Sequence, residues 1–590
     1  MNLPSDNSSM SRPPVIRNWF DRGLLLATLL TCAVAMSPAA ADSDLWGHVQ
    51  YGRDALSDGI SPTTTYSFTA EGYRWINHEN LAELFLAVMI DTIGPVGLLI
   101  VKCLLGVGVI GLIMVVAFRQ RASLLCVCLL AMLVSTNLTY FWRTRPQLLS
   151  YIFCALLMGL LAYCFQGWEG RCHFRWLERR DTESAPLTYS SFRLRCLWLA
   201  PVLFFFWANS HGGFVAGYCI FTAYLGLRGV ELLANRGRQS FGMLRRLTMM
   251  VVASGLATLI NPYGPGLHGW LIQSLGMPRP EIIEWHAPDL TSTVMIPLWV
   301  IMFSWFSTML LTKRSRDITH SVILLLTLWQ TLSHVRHMPF FAIPFGFWMA
   351  PHIDSVLQRF RISEHTDSLG QAMRPAMKMA FAGVFVFAFC LLGYKLQSRL
   401  RQMTVDRKEY PVAAIQFMAD NEMHGRLIVT YNWAQYAIAA LGPTHPDDDK
   451  AMLVSFDGRF RTCYPQEVVD MNFDFILGRL VPRYRGSDPL AFDDDEVLQY
   501  GDPEVVLINR FQPHSVNVMF RNQQNWTLLY QDRVAQVWGR SQTFDDPADA
   551  RYIAPDRRQI TDDEQVGVVS WPALPQRERE TEQLVLEAVL

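Results

Sequence analysis

Two hydrophobic rhythms divide the chain. Up to about residue 394 the apolar residues come in long runs broken by short polar connections, and after Tyr410 they come in short alternating stretches. The long runs predict membrane-crossing helices near 23–40, 95–118, 122–140, 146–166, 195–208, 213–233, 248–261, 293–312, 318–333, 338–352 and 375–394. Several fall short of the roughly 20 residues of a straight span, so their ends must extend into polar flanks or tilt differently. NLAELFLAVMIDTI (80–93) is shorter still and reads as a helix lying along the membrane interface.

The later rhythm predicts a different layout. PVAAIQFMADN, NWAQYAIAAL and EVVDMNFDFILG read as helices; GRLIVTY, AMLVSFDGR and PEVVLINR read as strands; NWTLLYQD and VAQVWGR read as a strand pair. Helices alternating with strands imply a small α/β domain with a partly parallel sheet. The sequence after Thr543 is mixed in charge and poor in aromatics, which predicts a mobile tail. The expected architecture is an α-helical polytopic membrane protein of about 11 spans with a C-terminal α/β domain. Its parts are a cytoplasmic N-terminus (1–22), a membrane domain (23–398) with a first outer loop (41–94), a soluble domain (399–542) and a tail (543–590).

Composition agrees with that division. Of 590 residues, 51% are hydrophobic and 17% charged, against about a quarter charged in soluble proteins. A net charge of −1 argues against a nucleic-acid partner. The 11 cysteines form no CxxC pair and suggest packing residues rather than a disulfide framework. Arg17, Arg22, GLLLATLLTCAVAM and SPAAAD resemble a secretory signal, but residue 42 emerges on the outside whether or not that helix is kept.

Charge sets the orientation. With the N-terminus inside, the inner connections are RQR (119–121), 167–194, NRGRQSFGMLRR (235–246), KRSRD (313–317) and QRFRISEH (358–365), all basic. The outer face then collects 41–94, WRTRPQ (142–147), NSHGG (209–213), 262–292, HVRHMP (334–339) and the C-terminal domain. Each motif alone has a plain reading: an interfacial anchor for WRTRP, a helix turn around His211 in NSHGG, snorkelling side chains for Arg336 and His337. Their convergence on one face points to a shared cavity.

Asp42 and Asp44 can face one divalent cation, or one can act as a base whose pKa the other tunes. His48 shares a face with Asp44 if a helix starts at Leu45. His78, Glu79 and Glu83 open the 80–93 helix, where acids also suit a first turn. Arg143, Arg145 and Arg336 suit phosphate, because a guanidinium stays charged and binds through two parallel hydrogen bonds. Acids beside arginines at headgroup level suggest a lipid-linked phosphate. Asp457 and Arg459 in FDGRF read as a structural turn or as an acceptor contact.

These residues carry a resemblance. DSDLWGHVQYGRDAL, GISPTTTYSFTAEGYRWINHENLAE, TRPQLLSY, WANSHGGFVAG, INPYG, EWHAPD, RHMPFFAI, YNWAQYAI and FDGRFRTCYPQEV resemble a group of bacterial membrane proteins within the GT-C superfamily. That superfamily comprises polyprenyl-phosphate-sugar-dependent glycosyltransferases, among them the protein mannosyltransferase, aminoarabinose transferase and oligosaccharyltransferase families. Gly47, Tyr66, Asn80 and Ala434-Gln435 depart from the group's pattern, which often has tryptophan, aspartate, tryptophan and paired glycines there.

The resemblance implies a GT-C fold in the bacterial inner membrane. It further implies a hexosyl- or pentosyltransferase whose catalytic acid residue is Asp44 or Asp42. The donor expected is a polyprenyl-phosphate sugar, the acceptor a glycan, lipid or protein, and the cofactor at most a Mg or Mn ion on Asp42 and Asp44. The competing readings are a non-catalytic scaffold, a transporter and an O-antigen polymerase-type protein. No internal repeat supports transport.

Overall fold

A computed structural model describes residues 18–168, 189–289, 291–362, 374–443, 448, 450–486 and 491–576. Most of the 167–194 connection, the start of the N-terminus and residues 577–590 of the expected tail lie outside the described residues. Each apolar run holds a helix. The first is α1 (Trp19–Ala35), capped by Asn18, whose side chain accepts from the Asp21 backbone N–H. Then come α2 (Leu45–Ser57), α3 (Asn80–Arg119), α4 (Leu124–Thr139) and α5 (Gln147–Cys164). α3 is two helices joined at Gly94, whose φ of 70° and following Pro95 break the hydrogen-bond ladder. That break separates 80–93 from the apolar stretch behind it.

Five helices are long and apolar enough to cross a membrane: Asn80–Arg119, Gln147–Cys164, Ser191–Ala208, Thr293–Leu311 and Pro375–Leu400. Val335–Trp348 and Ala350–Arg359, bent by 60°, make a sixth if they form one span. By length and composition alone, five or six of the expected total of about 11 spans qualify among the described residues. Some of the remaining apolar helices are short: α1 has 17 residues, and α4 and Ile318–Ser333 have 16 each. Pro375–Leu400 is apolar all round, yet none of its residues is buried. Lipid is the surrounding that suits such a helix. Its Phe381 and Phe385 pack on Phe20 of α1.

The α/β expectation for the C-terminal region holds element by element. Strands β1 (Thr404–Asp406), β2 (Gly425–Val429), β3 (Met452–Val454), β4 (Val505–Asn509), β5 (Trp526–Gln531), β6 (Ala535–Arg540), β7 (Gln559–Ile560) and β8 (Val568–Ser570) are present. Six form one sheet in the order β3-β2-β4-β6-β5-β7. β2 runs parallel to β3 and β4, and β6 antiparallel to β4 and β5. Val505–Ile508 are all buried, as a central strand covered on both faces requires.

Two expectations are corrected here. Residues 543–576 are no loose tail: β8 pairs with β1, Trp46 Nε1 donates to the Pro572 carbonyl at 2.8 Å, and Trp571 is buried. A few large anchors, too sparse to register as a pattern, hold an otherwise polar segment. Nor does the loop 41–79 belong to the membrane domain alone. Trp46 packs on Tyr410, Tyr436 and Trp571 of the C-terminal domain. Ser67 bridges to Val454 at the edge of the sheet, and Ala40 bridges to Thr404. The loop is thus clamped between helices and sheet, and the site forms at that seam.

Candidate active site

α2 begins at Leu45, so Asp44 stands at its N-cap without making a side-chain cap bond. His48 lies one turn on, its N–H bonded to the Asp44 carbonyl. Asp42 and Asp44, alike in sequence, are treated differently by the fold. The Asp42 carboxyl is fully enclosed; its Oδ1 accepts from the Arg145 Nε–H and from the Asp44 backbone N–H at 3.1 Å. Asp44 keeps 28% of its side chain exposed and lines a cavity of about 710 Å³, which Asp42 does not.

Arg145 ties this corner together, with Nη2 3.4 Å from Asp44 and Nη1 3.3 Å from Glu284. One guanidinium faces three carboxylates. Burial, reinforced by Asp42 and Glu284, lifts the Asp44 carboxyl above its ordinary range, although Arg145 and His48 pull it down. A carboxylate so raised, facing open space, has the character of a general base. Arg143 stays half-exposed, 3.8 Å from Asp42 and over the Tyr140 ring, outside the cavity lining.

A second cluster adjoins the first. Asn77 Nδ2 donates to Glu83 Oε2 at 2.5 Å, and His48 Nδ1 bonds Glu83 Oε1 at 3.0 Å. Glu79 sits among His48 at 4.0 Å, His78 at 3.8 Å and His211 at 3.6 Å. The Gly213 N–H donates to His211 Nδ1, so the ring proton belongs on Nε2, towards Glu79. Burial holds His211 neutral, down to about 3. Burial also opposes charge on His48, yet its bond to Glu83 and the charges of Glu79, Glu83 and Asp44 raise it to about 9.

The raised His48 pKa carries a stability signature. The pairing stabilises the fold fully below the unfolded value of about 6.5 and is lost as pH rises through about 9. In chelator-treated protein, the unfolding temperature should therefore fall between pH 7 and pH 10, and His48→Gln should flatten that fall. Equal slopes in both proteins would contradict the pairing.

As for a cation, Arg145 already bridges Asp42 and Asp44, so the two aspartates do not fit a shared Mg or Mn ion. His48, Glu79 and Glu83 instead bring three ligand atoms within 4.8 Å of one another.

Arginines form the opposite wall. The His334 Nδ1 bond to the Trp285 carbonyl (2.7 Å) and the Val335 N–H bond to His286 pin 284–286 against the Val335–His337 turn. Trp285 then carries two guanidiniums, Arg279 at 4.4 Å and Arg336 at 4.5 Å from its ring centre. Arg336 makes no hydrogen bond or ion pair among the described residues. Arg279 reaches only Ser274, and its Nη1 is buried without a partner. Burial, with Arg461 and Arg336 nearby, lowers Arg279 to about 10. Cations this enclosed and unpaired suit an incoming anion.

From this polar end the cavity runs into an apolar arm. Val215, Ala216, Cys219, Ile220 and Ala223 share one face of helix Phe214–Arg236, and Ile323, Leu326 and Thr327 face them. Of the residues singled out in the sequence, Asp44, His48, His78, Glu79, Glu83, Arg145, His211, Arg336 and His337 all line this one cavity. Arg459 also lines it, its charge taken up by the buried Asp457 at 2.6 Å. Arg279 was not singled out, and Glu284 and Trp285 only within the EWHAPD stretch of the resemblance. They lie in the long 262–292 connection, whose sequence signals were its place on the outer face and the EWHAPD stretch.

No family model matches the chain, and no curated protein sequence matches it significantly. Solved structures do. The chain is similar to the Archaeoglobus fulgidus oligosaccharyltransferase in the apo form, with a TM-score of 0.51, 9% identity, and coverage of 83% of this chain and 69% of that one. Archaeal oligosaccharyltransferase AglB from the same organism, in complex with an inhibitory peptide and a dolichol-phosphate, gives the same values. The A. fulgidus enzyme tethered to an acceptor peptide containing the NVT sequon gives a TM-score of 0.50. The chain thus shares the overall fold of these structures.

Proposed function

We propose that the protein is a membrane glycosyltransferase that moves a hexosyl or pentosyl group from a polyprenyl-phosphate donor to an extracytoplasmic acceptor. One observation carries this reading: a single cavity joins a raised carboxyl, two unpaired arginines and an apolar arm. The polyprenyl chain lies along the arm, and its phosphate sits against Arg279 and Arg336. Asp44 takes the proton of the acceptor hydroxyl as that oxygen attacks the anomeric carbon. The bond from that carbon to the phosphate oxygen breaks, and the lipid phosphate leaves with the electron pair, held by the arginines. Arg145 and Asp42 orient Asp44. A divalent ion at His48, Glu79 and Glu83, Mn better than Mg because one donor is nitrogen, would add positive charge to this wall. The dolichol-phosphate and acceptor peptide bound by the structural neighbours are in keeping with this reading.

The test is direct. Purified protein should release or transfer labelled sugar from a polyprenyl-phosphate sugar, and wild-type protein inert towards a panel of such donors would sink the assignment. Within it, Arg336→Gln should raise the donor KM about 10- to 100-fold, the loss of one charge-assisted hydrogen-bonding partner. An unchanged KM would move the phosphate elsewhere.

A further inference from the structure

Gln435 lies in the first turn of helix Ala434–Leu441 in the C-terminal domain, yet it lines the cavity. It is 3% exposed, its Oε1 is buried without a partner, and its amide nitrogen makes no hydrogen bond among the described residues. Buried amides are almost always satisfied, so an open one beside a site is a vacancy for a ligand. Two glycines make room for it. A Cβ on Gly47 would come within 2.6 Å of Gln435 Cδ. A Cβ on Gly458 would come within 2.6 Å of Gln435 Nε2 and 2.9 Å of Asp44 Oδ1. The amide therefore sits in a slot between α2 and the Asp-Gly turn, next to the carboxylate assigned as base.

The slot's surroundings narrow the ligand. Trp75, Tyr431 and Phe460 also line this part of the cavity. Phe460 is held in the left-handed region at φ 52°, a conformation an aromatic residue adopts only under constraint. Charged neighbours are already matched: Arg459 with Asp457 at 2.6 Å, and Arg461 with Glu281 at 3.2 Å. A peptide adding as a strand would need a free sheet edge, but the nearby edge strand β3 is occupied by Tyr66, Ser67 and Phe68. What remains is an amide nitrogen that donates beside Asp44, a carboxylate that accepts, and aromatic side chains. That combination suits neighbouring hydroxyls on a pyranose ring, whose C–H face packs on aromatics.

We propose that Gln435, with the turn at Gly458 and Phe460, forms the acceptor subsite and that the acceptor is a carbohydrate. The amide holds the hydroxyl beside the one that Asp44 deprotonates. The subsite's role rests on the transferase reading; its existence as a saccharide site does not.

The experiment measures binding of a panel of neutral disaccharides to the full-length protein in a sugar-free detergent, by saturation-transfer NMR. At least one disaccharide should bind saturably. Gln435→Met, similar in shape but without hydrogen-bonding capacity, should weaken it about tenfold. Gly458→Ala, whose Cβ would enter the slot within 2.6 Å of Gln435 Nε2, should weaken binding likewise and serves if the first variant folds poorly. Unchanged affinity in Gln435→Met, no binding by any disaccharide, or binding only of a neutral hexapeptide would overturn the proposal. Donor cleavage is read separately. If it occurs without saccharide binding, the subsite falls and the transferase stands; saccharide binding without donor cleavage leaves the reverse.

Discussion

Asp44→Asn should cut sugar release from a polyprenyl-phosphate donor by about 100- to 10,000-fold, the range that loss of a positioned general base produces. The protein should still fold, because Asp44 makes no cap bond and its amide replacement fits the same space. Donor KM should change little, since the phosphate contacts lie on Arg279 and Arg336. Asp42→Asn should behave differently. That carboxyl is enclosed and holds Arg145, so its loss should lower stability and disturb the orientation of Asp44 without removing the base. In wild-type protein the acid limb of the rate profile should lie above the ordinary carboxylate value of about 4, because burial and two neighbouring acids raise Asp44. Rates for Asp44→Asn within a factor of two or so of wild type would remove it from the chemistry.

Arg145→Leu should be the most damaging single change to the fold. The guanidinium faces Asp42, Asp44 and Glu284, and removing it leaves the enclosed Asp42 without its main partner. Breaking one side of a buried pair costs about 3–5 kcal/mol. Thermal unfolding should show a large drop, partly recovered at low pH where the carboxylates protonate. Arg145→Lys keeps the charge but not the fork that reaches several carboxylates at once, so it should fall between. An unfolding temperature that does not move in Arg145→Leu would mean that this corner is solvated and that the cavity is not built as described.

Much of this was readable from sequence because it rests on local pattern. The strands of the C-terminal sheet show as short apolar runs ended by turn residues, and His48 follows Asp44 by one helical turn. The division of labour between Asp42 and Asp44 was not readable. Two identical residues two positions apart differ only in what the folded chain places over them. The same holds for Arg279, Glu284 and Trp285, whose meaning comes from the pinning of 284–286 against 334–337. Gly47 and Ala434-Gln435 were visible as separate departures from the resembling group. Only the structure makes them one feature, with the Gln435 amide against the space a larger residue 47 would need. The tail misled because anchoring by Trp571 and two carbonyl contacts leaves no periodic trace.

The central claim is that acids, arginines and apolar arm serve one lipid phosphate. A polyprenyl phosphate carrying a photoreactive group in its first isoprene unit tests it most directly. After irradiation of the full-length protein, adducts should map to Ala216, Ile220, Ile323 and Leu326 and be suppressed by unlabelled polyprenyl phosphate. Adducts confined to the lipid-facing surface of Pro375–Leu400, untouched by that competitor, would contradict the account.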